Sequence, residues 1–561
     1  MLCRSLGLLL LLSKFCLIWG LPSSPTVALG KTKVTGRTNS TTKIDFFGGI
    51  PFASPPLGTL RFEPPVLRTS FPSNVQSFNA TSFGPACLQL VANLMCELPS
   101  LPNMSEDCLT INVFRPAGIS ARAKLPVMFW TFGGGFHGGT SADSDPSNLI
   151  ARSVLRGTPI VYVSFNYRVG PFGFPRGNEV GATRGVNLGI KDLLAALKWV
   201  QANIQFFGGD PAKVTVFGES AGAIMESMIF LDSQISGLAR AAIFISGSPA
   251  TTPAHTAAQG QSLWQSFVLA VPSCTLFALT PSTLPCMKKA PAAELLFSAG
   301  LQSQDSWEPV LDGEGGVLSA TPSILYAQGR FSKIPFISGN VLDEGTDFVP
   351  QIPLIKYSTE FIKTSVTSLL YSPTLPGVSP KELSDQLDKL LALYPDIPAL
   401  GSPYGTGNNT FGLDSGWKRI ASLVGDLLFQ SSRRMWLRAA SSHGSKVYSY
   451  LLTQPPLGRD PSLGVDHPST KPYFYGQALS NGVASDAELS LVVMDYWLSF
   501  ATSLDPNDGK GTQRPKWEQW TTSQNRLLQL NGAKNQTVMI KDDFRSQGIE
   551  AIISNPLVFL H

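Results

Sequence analysis

An α/β fold built on a large, mostly parallel sheet is what this sequence predicts, and three observations predict it. Strand-like and helix-like stretches alternate along the chain, with no internal repeat and no linker between separate units. Several strand-like stretches are continuous apolar runs, the pattern of strands covered on both faces. One of them, Val214–Phe217, runs directly into Gly218-Glu219-Ser220-Ala221-Gly222 with a helical pattern behind it.

The chain opens MLCRSLGLLLLLSKFCLIWG, with Arg4 ahead of a short, interrupted apolar region. That is too short for a spanning helix and suits a secretory signal peptide over residues 1–20, a membrane anchor being the alternative. Residues 21–561 are then expected to form a single domain. Sequons at Asn39, Asn79, Asn103, Asn408 and Asn535 fit a secreted glycoprotein. Of the seven cysteines, Cys3 and Cys16 leave with the signal. The odd remainder, Cys87, Cys96, Cys108, Cys274 and Cys286, implies two bridges and one free thiol in an oxidising compartment. Net charge is +4, and +2 once Arg4 and Lys14 are set aside, with no basic block. Nucleic acid is therefore a poor partner, and a neutral or apolar substrate a better one.

Strand candidates follow in order: Leu109–Phe114, Val127–Thr131, Ile160–Phe165, Val214–Phe217, Ala242–Ile245, Ile334–Ile337 and Val447–Leu452. Ile190, Leu193, Leu194, Leu197, Val200 and Ile204 recur at helical spacing, marking a helix from about Leu188 that ends before Gly208. Two segments rich in Pro and Ser, 351–380 and 454–471, read as long excursions from the sheet.

G-x-S-x-G between strand and helix is a nucleophile elbow. Small neighbours let the two elements approach closely, and the turn thrusts the Ser220 hydroxyl outward. The helix N-terminus offers positive potential to a developing oxyanion. Upstream, LPVMFWTFGGGFHGG ends a strand in Gly133-Gly134-Gly135, whose N–H groups can approach a substrate without side chains in the way. The N–H of Ala221 is a further donor. A glycine-rich structural turn is the plain alternative for each motif taken singly.

Triad order for such an elbow is serine, acid, histidine. Beyond Ser220 stand only His255, His443, His467 and His561. His561 is terminal and expected to fray, His255 leaves little room for an acid strand, and His443 reads as a solvated turn residue. His467 lies in a loop after the strand Val447–Leu452, where catalytic side chains collect. The acid comes from ISGNVLDEGTDF, and spacing leaves Asp343 and Glu344 equally open, with Asp347 a loop carboxylate. A histidine base with its ordinary pKa implies activity that falls below about pH 6.

Together these stretches resemble the type-B carboxylesterase and lipase family, and within it the secreted fungal lipase and sterol-esterase branch. The likeness rests on GIPFASPPLGTLRF, SEDCLTINVFRP, FGGGFHGGTS, VSFNYRVGPFGF, WVQANIQFFGGDPAKVTVFGESAG, DEGTDF, GVDHPS and KDDFRSQGIEAIISNP. It implies an α/β-hydrolase fold and a serine carboxylic-ester hydrolase acting on apolar esters, with a lipid–water interface as a possible meeting place. By the same resemblance Ser220 is the nucleophile, Glu344 the acid and His467 the base, with Gly134, Gly135 and Ala221 forming the oxyanion hole. It pairs Cys87 with Cys108 across a lid segment and Cys274 with Cys286, and it implies no metal or cofactor.

The chain departs from the family in places. The segment between Cys87 and Cys108, residues 88–107, is short and carries the extra Cys96. A shortened lid shifts weight from interfacial activation toward esterase or sterol-ester activity. His137, where the compared lipases carry an acid, is expected to face solvent, contact with the acyl pocket being the alternative. Rival readings are a non-catalytic adhesion protein of the same family and an amide or thioester hydrolase on the same fold.

Overall fold

The computed structural model describes residues 24–89, 104–302, 307–370, 378–533, 535–559 and 561. The expected signal peptide, Cys96 and Asn103 lie outside them. An eleven-stranded sheet forms the centre. From edge to edge it runs Val538–Lys541, Arg526–Leu530, Val447–Leu452, Phe336–Val341, Ala241–Ile245, Gly209–Glu219, Leu125–Thr131, Val161–Phe165, Thr110–Pro116, Ile44–Pro51, Arg37–Asn39. The strands from Arg526–Leu530 through Val161–Phe165 are all parallel. Antiparallel strands close both margins. This is the α/β-hydrolase architecture.

Each expected strand forms, with shifts that have local causes. The run expected at Ile334–Ile337 begins instead at Phe336, because Pro335 has no N–H for the ladder and serves only as an acceptor, from Ala242 N at 3.2 Å. The elbow strand reaches back to Gly209 through a register irregularity between Gly209 and Val214. The helix Leu188–Asn203 passes into a 3₁₀ turn, Ile204–Phe207, and stops at Gly208 with φ 88°. Of the strands toward the two edges, Thr110–Pro116 was expected, whereas Arg37–Asn39, Ile44–Pro51, Arg526–Leu530 and Val538–Lys541 carry short or mixed patterns and were not.

Apolar residues from both faces of the sheet form the main core, with Trp130, Trp199 and Trp497 fully buried. A second cluster, including Ile362, Leu387, Trp417 and Leu427, joins the helices Thr359–Leu370, Pro380–Ala392 and Ser415–Gly425. The excursion after the strand Phe336–Val341 is thus a helical layer with its own core. Among the described residues no helix is long and apolar enough to cross a membrane. Both disulfides form, Cys87–Cys108 and Cys274–Cys286.

His561 corrects an expectation. It does not fray: it is 2% exposed, and its Nδ1 donates to Ala250 O at 2.7 Å. A buried carbonyl acceptor holds the residue in place where a solvated one would not.

Candidate active site

Ser220 stands between the strand Gly209–Glu219 and the helix Ala221–Met228 with φ 55° and ψ −129°. A side-chain-bearing residue in that conformation is strained, and its surroundings hold it there. Its N–H donates to Ile245 O at 2.9 Å, and its carbonyl accepts from Ile224 N at 2.9 Å. The flanking glycines are dictated by contact. A Cβ on Gly222 would lie 2.1 Å from Thr131 O, and one on Gly218 would lie 2.7 Å from the Gly222 carbonyl carbon.

The glycine loop lies against this turn. A Cβ on Gly133 would stand 2.6 Å from Glu219 Oε2 and 2.9 Å from Ser220 Cβ. Gly134 and Gly135 follow with φ 106° and 61°, both exposed, and Gly134 O accepts from His137 N at 3.0 Å to close the loop. Among the described residues no group accepts a hydrogen bond from the N–H of Gly134, Gly135 or Ala221. Gln89 clamps the loop's far end, accepting from Gly139 N at 2.7 Å and donating to Gly139 O at 3.0 Å. Gln89 also donates to the Cys87 carbonyl, so the half-cystine Cys87 is tied to the glycine loop through it.

His467 begins a 3₁₀ turn after the strand Val447–Leu452. Its Nδ1 meets Glu344 Oε2 at 2.6 Å, so in the neutral ring the proton lies on Nδ1 and Nε2 is the acceptor. Nε2 is buried, has no hydrogen-bond partner, and lies 3.7 Å from Oε1 of Glu219, the residue before Ser220. No hydrogen bond joins Ser220 to His467 Nε2. Phe348 and Phe429 pack on the imidazole with ring centroids 5.0 and 4.8 Å away. Phe429 comes from a single π-helical turn, Asp426–Gln430, a distortion often found at functional sites.

The geometry separates the two acids that spacing left open. Glu344, 1% exposed, touches His467 and accepts through Oε1 from Asn340 Nδ2 at 2.8 Å and Val341 N at 3.0 Å. Asp343 turns away: it accepts from Ser402 Oγ, Tyr404 N and Val465 N at 2.8–2.9 Å. Those bonds tie the acid loop to the segment leading into His467. Burial lifts Asp343 to about 6 against them. Burial, then the neighbouring Asp466 carboxylate, lifts Asp347 to about 6 as well.

Burial opposes a charge on His467, but the carboxylates of Glu344, Glu219 and Asp347 outweigh it and raise its pKa to about 9. That lies above the ordinary imidazole value on which the expected fall below about pH 6 rests. Glu219 was visible in sequence only as the variable residue of G-x-S-x-G, and its side chain reaches the imidazole. Its own pKa is raised, by burial first, with the His467 charge pulling it down.

His137 does not face solvent as expected. It lines a narrow cleft with Leu88, Phe172 and Trp307, its Nδ1 buried and unpartnered. Burial, and then the Arg176 charge, hold its pKa down to about 4, so the ring is neutral. His443 caps the helix Ser431–Ser442 through Nδ1 to Ala439 O at 2.9 Å, and His255 sits in a two-residue strand paired with Val310–Leu311. Neither joins the site. Asn39, Asn79, Asn408 and Asn535 are all exposed.

Known proteins are similar to this chain along nearly its whole length. The pattern of the carboxylesterase family covers residues 23–547. Lipase 2 of Geotrichum candidum is 34% identical, over 90% of this chain and 91% of its own length. A secreted triacylglycerol lipase of Gibberella zeae is also 34% identical, over 95% and 92%. The crystal structure of EstA from Aspergillus niger superimposes with a TM-score of 0.80 at 26% identity, covering 96% of this chain and 99% of that one. With the fold, the elbow and these likenesses in agreement, the chain belongs to the carboxylesterase family and is a carboxylic-ester hydrolase.

Proposed function

We propose that the protein is a secreted serine esterase that cleaves apolar esters through an acyl-enzyme on Ser220. The observation that carries this reading is the Glu344–His467 contact of 2.6 Å, with the free Nε2 beside the residue preceding Ser220. In the catalytic cycle His467 Nε2 takes the Ser220 proton as Oγ attacks the ester carbonyl. The N–H groups of Gly134, Gly135 and Ala221 receive the oxyanion, each donor contributing about 10²–10³ in rate. Protonated His467 then gives its proton to the departing alcohol, and water repeats the sequence on the acyl-enzyme. Glu344 keeps the imidazole in the required tautomer and stabilises its charged form.

Apolar character along residues 88–101 and the cleft at Leu88, Phe172 and Trp307 support an apolar acyl or alcohol group. The N-terminal apolar segment, the two disulfides and the four exposed sequons support secretion and glycosylation of a single-domain protein. The relative from Gibberella zeae, named as secreted, agrees with this.

Fluorophosphonate labelling tests the chemistry: the wild-type chain labels at Ser220, and Ser220→Ala neither labels nor retains more than about 10⁻⁴ of wild-type kcat. A Ser220→Ala variant hydrolysing p-nitrophenyl esters at wild-type rate would end this reading. A panel of p-nitrophenyl esters from two to eighteen carbons, beside cholesteryl oleate and emulsified triglyceride, sets the substrate class. N-terminal sequencing and glycosidase treatment of protein recovered from a secreting host test export.

A further inference from the structure

The helix Ala221–Met228 carries a second acid, deep beneath the elbow. Glu226 is 0% exposed; its Oε1 accepts from Thr131 Oγ1 at 2.7 Å, and its Oε2 has no partner. Burial pushes its pKa well above the ordinary carboxylate range. A carboxylate with a bare oxygen is strongly disfavoured in such an interior, so the group is a neutral acid. Thr131, also fully buried, is the last residue of the strand Leu125–Thr131, and Gly133–Gly135 follow at once.

One side-chain pair therefore joins the helix that starts at the nucleophile to the strand that ends in the oxyanion glycines. Two backbone contacts bracket it. Thr131 O presses on the Gly222 position, where a Cβ would come within 2.1 Å, and Phe132 O accepts from Tyr167 Oη at 2.8 Å. Replacing both members of a buried polar pair by apolar groups of similar shape costs little stability. Stability alone gives no reason for a glutamic acid there.

We propose that Glu226 is a positioning residue for acyl transfer: through Thr131 it sets the spacing between the Ser220 hydroxyl and the N–H groups of Gly134 and Gly135. The proposal rests on the acyl-enzyme reading above. It assigns Glu226 no contact with substrate and no proton transfer.

The test uses the full-length protein with Glu226→Leu, Glu226→Gln and Thr131→Val. Each is measured for kcat and KM on one p-nitrophenyl ester, for inhibition by an aryl trifluoromethyl ketone, and for fluorophosphonate labelling. In Glu226→Leu, kcat should fall by up to about 10²-fold, the scale of a small misplacement at a reacting centre. KM should change by less than about twofold, since ground-state binding is untouched. Affinity for the ketone, whose tetrahedral adduct needs the oxyanion hole, should fall in step with kcat/KM. Glu226→Gln keeps a carbonyl for Thr131 and should recover about tenfold over Glu226→Leu, within that positioning loss. Should Glu226→Leu fail to fold, Thr131→Val removes only the hydroxyl and must give the same pattern. Values of kcat in the foldable variants within about threefold of wild type, or a kcat loss without matching loss of ketone affinity, would overturn the proposal. Labelling of Ser220 with unchanged kcat overturns this inference alone. No labelling in the unaltered chain removes the acyl-enzyme reading and this inference with it.

Discussion

Around Ser220 the chain is positioned by backbone contact. Gly218, Gly222 and Gly133 each leave no room for a Cβ, so at these positions strand, helix and glycine loop touch directly. Around His467 the chain is positioned by carboxylates. Glu344 binds the ring and two donors of its own loop, and Asp343 binds Ser402, Tyr404 and Val465. Asp466, next to His467, accepts from Arg459 and Ser469. The contrast has a chemical sense. In the proposed mechanism the nucleophile and oxyanion groups must be rigid, and close packing supplies rigidity. The proposed base must hold one tautomer and a tuned proton affinity, which hydrogen bonds to carboxylates supply.

Four substitutions test that contrast. Glu344→Gln strikes the carboxylate side at its centre. It keeps the shape but loses the charge and the tautomer control, and kcat should drop by about 10³–10⁴-fold. Thermal unfolding should shift little, since an amide still offers an oxygen to Asn340 and Val341. A loss below about tenfold would move the triad acid elsewhere.

Gly222→Ala strikes the packed side. The new methyl must push the helix from Thr131, displacing Ser220 from the glycine loop, and a drop of up to about 10²-fold in kcat should follow. Here melting temperature should fall together with activity, because the same contact serves both. Wild-type values of both would show that the elbow can yield.

Asp343→Ala leaves the Ser402 hydroxyl and two N–H groups unpaired in the interior, which should cost about 3 kcal/mol in chemical denaturation. The kcat of the folded protein should stay within about tenfold of wild type, because Asp343 does not touch His467. Equal collapse of kcat in Asp343→Ala and Glu344→Gln would make the acid loop one inseparable unit.

The same contrast explains which parts of the molecule were legible in sequence. Contact leaves small residues at fixed spacing, so the elbow, the glycine loop and the helix Leu188–Asn203 could all be found by pattern. Hydrogen bonds between distant loops leave no such trace. Spacing does not separate the neighbours Asp343 and Glu344; in the fold Val465, 122 positions from Asp343, donates to Asp343, while Glu344 meets His467. Only the family resemblance had separated them. Glu219 and Glu226 occupy positions the motif leaves free, and their burial depends on strands that arrive from elsewhere. His137 and His561 were misjudged for the same reason: what surrounds them is set by the tertiary fold.

Glu219→Gln is the smallest change and joins the two sides, since Glu219 belongs to the packed strand yet lies 3.7 Å from His467 Nε2. In the proposed mechanism only the neutral imidazole can accept the Ser220 proton. With the His467 pKa raised to about 9, that form is lost at higher pH than for an ordinary histidine. The acid limb of kcat/KM, which reports the free enzyme, should therefore lie well above 6.5, with activity falling as pH drops through that region. Removing the Glu219 charge takes away one of the groups that favour the imidazolium, while Glu344 remains. The limb should move to lower pH and stay above 6.5, so the variant gains on wild type most clearly near neutrality. Profiles of kcat/KM from pH 5 to 10 decide this. A limb that Glu219→Gln leaves in place would assign the proton affinity of His467 to Glu344 and Asp347 alone, and the packed strand would then have no part in setting it.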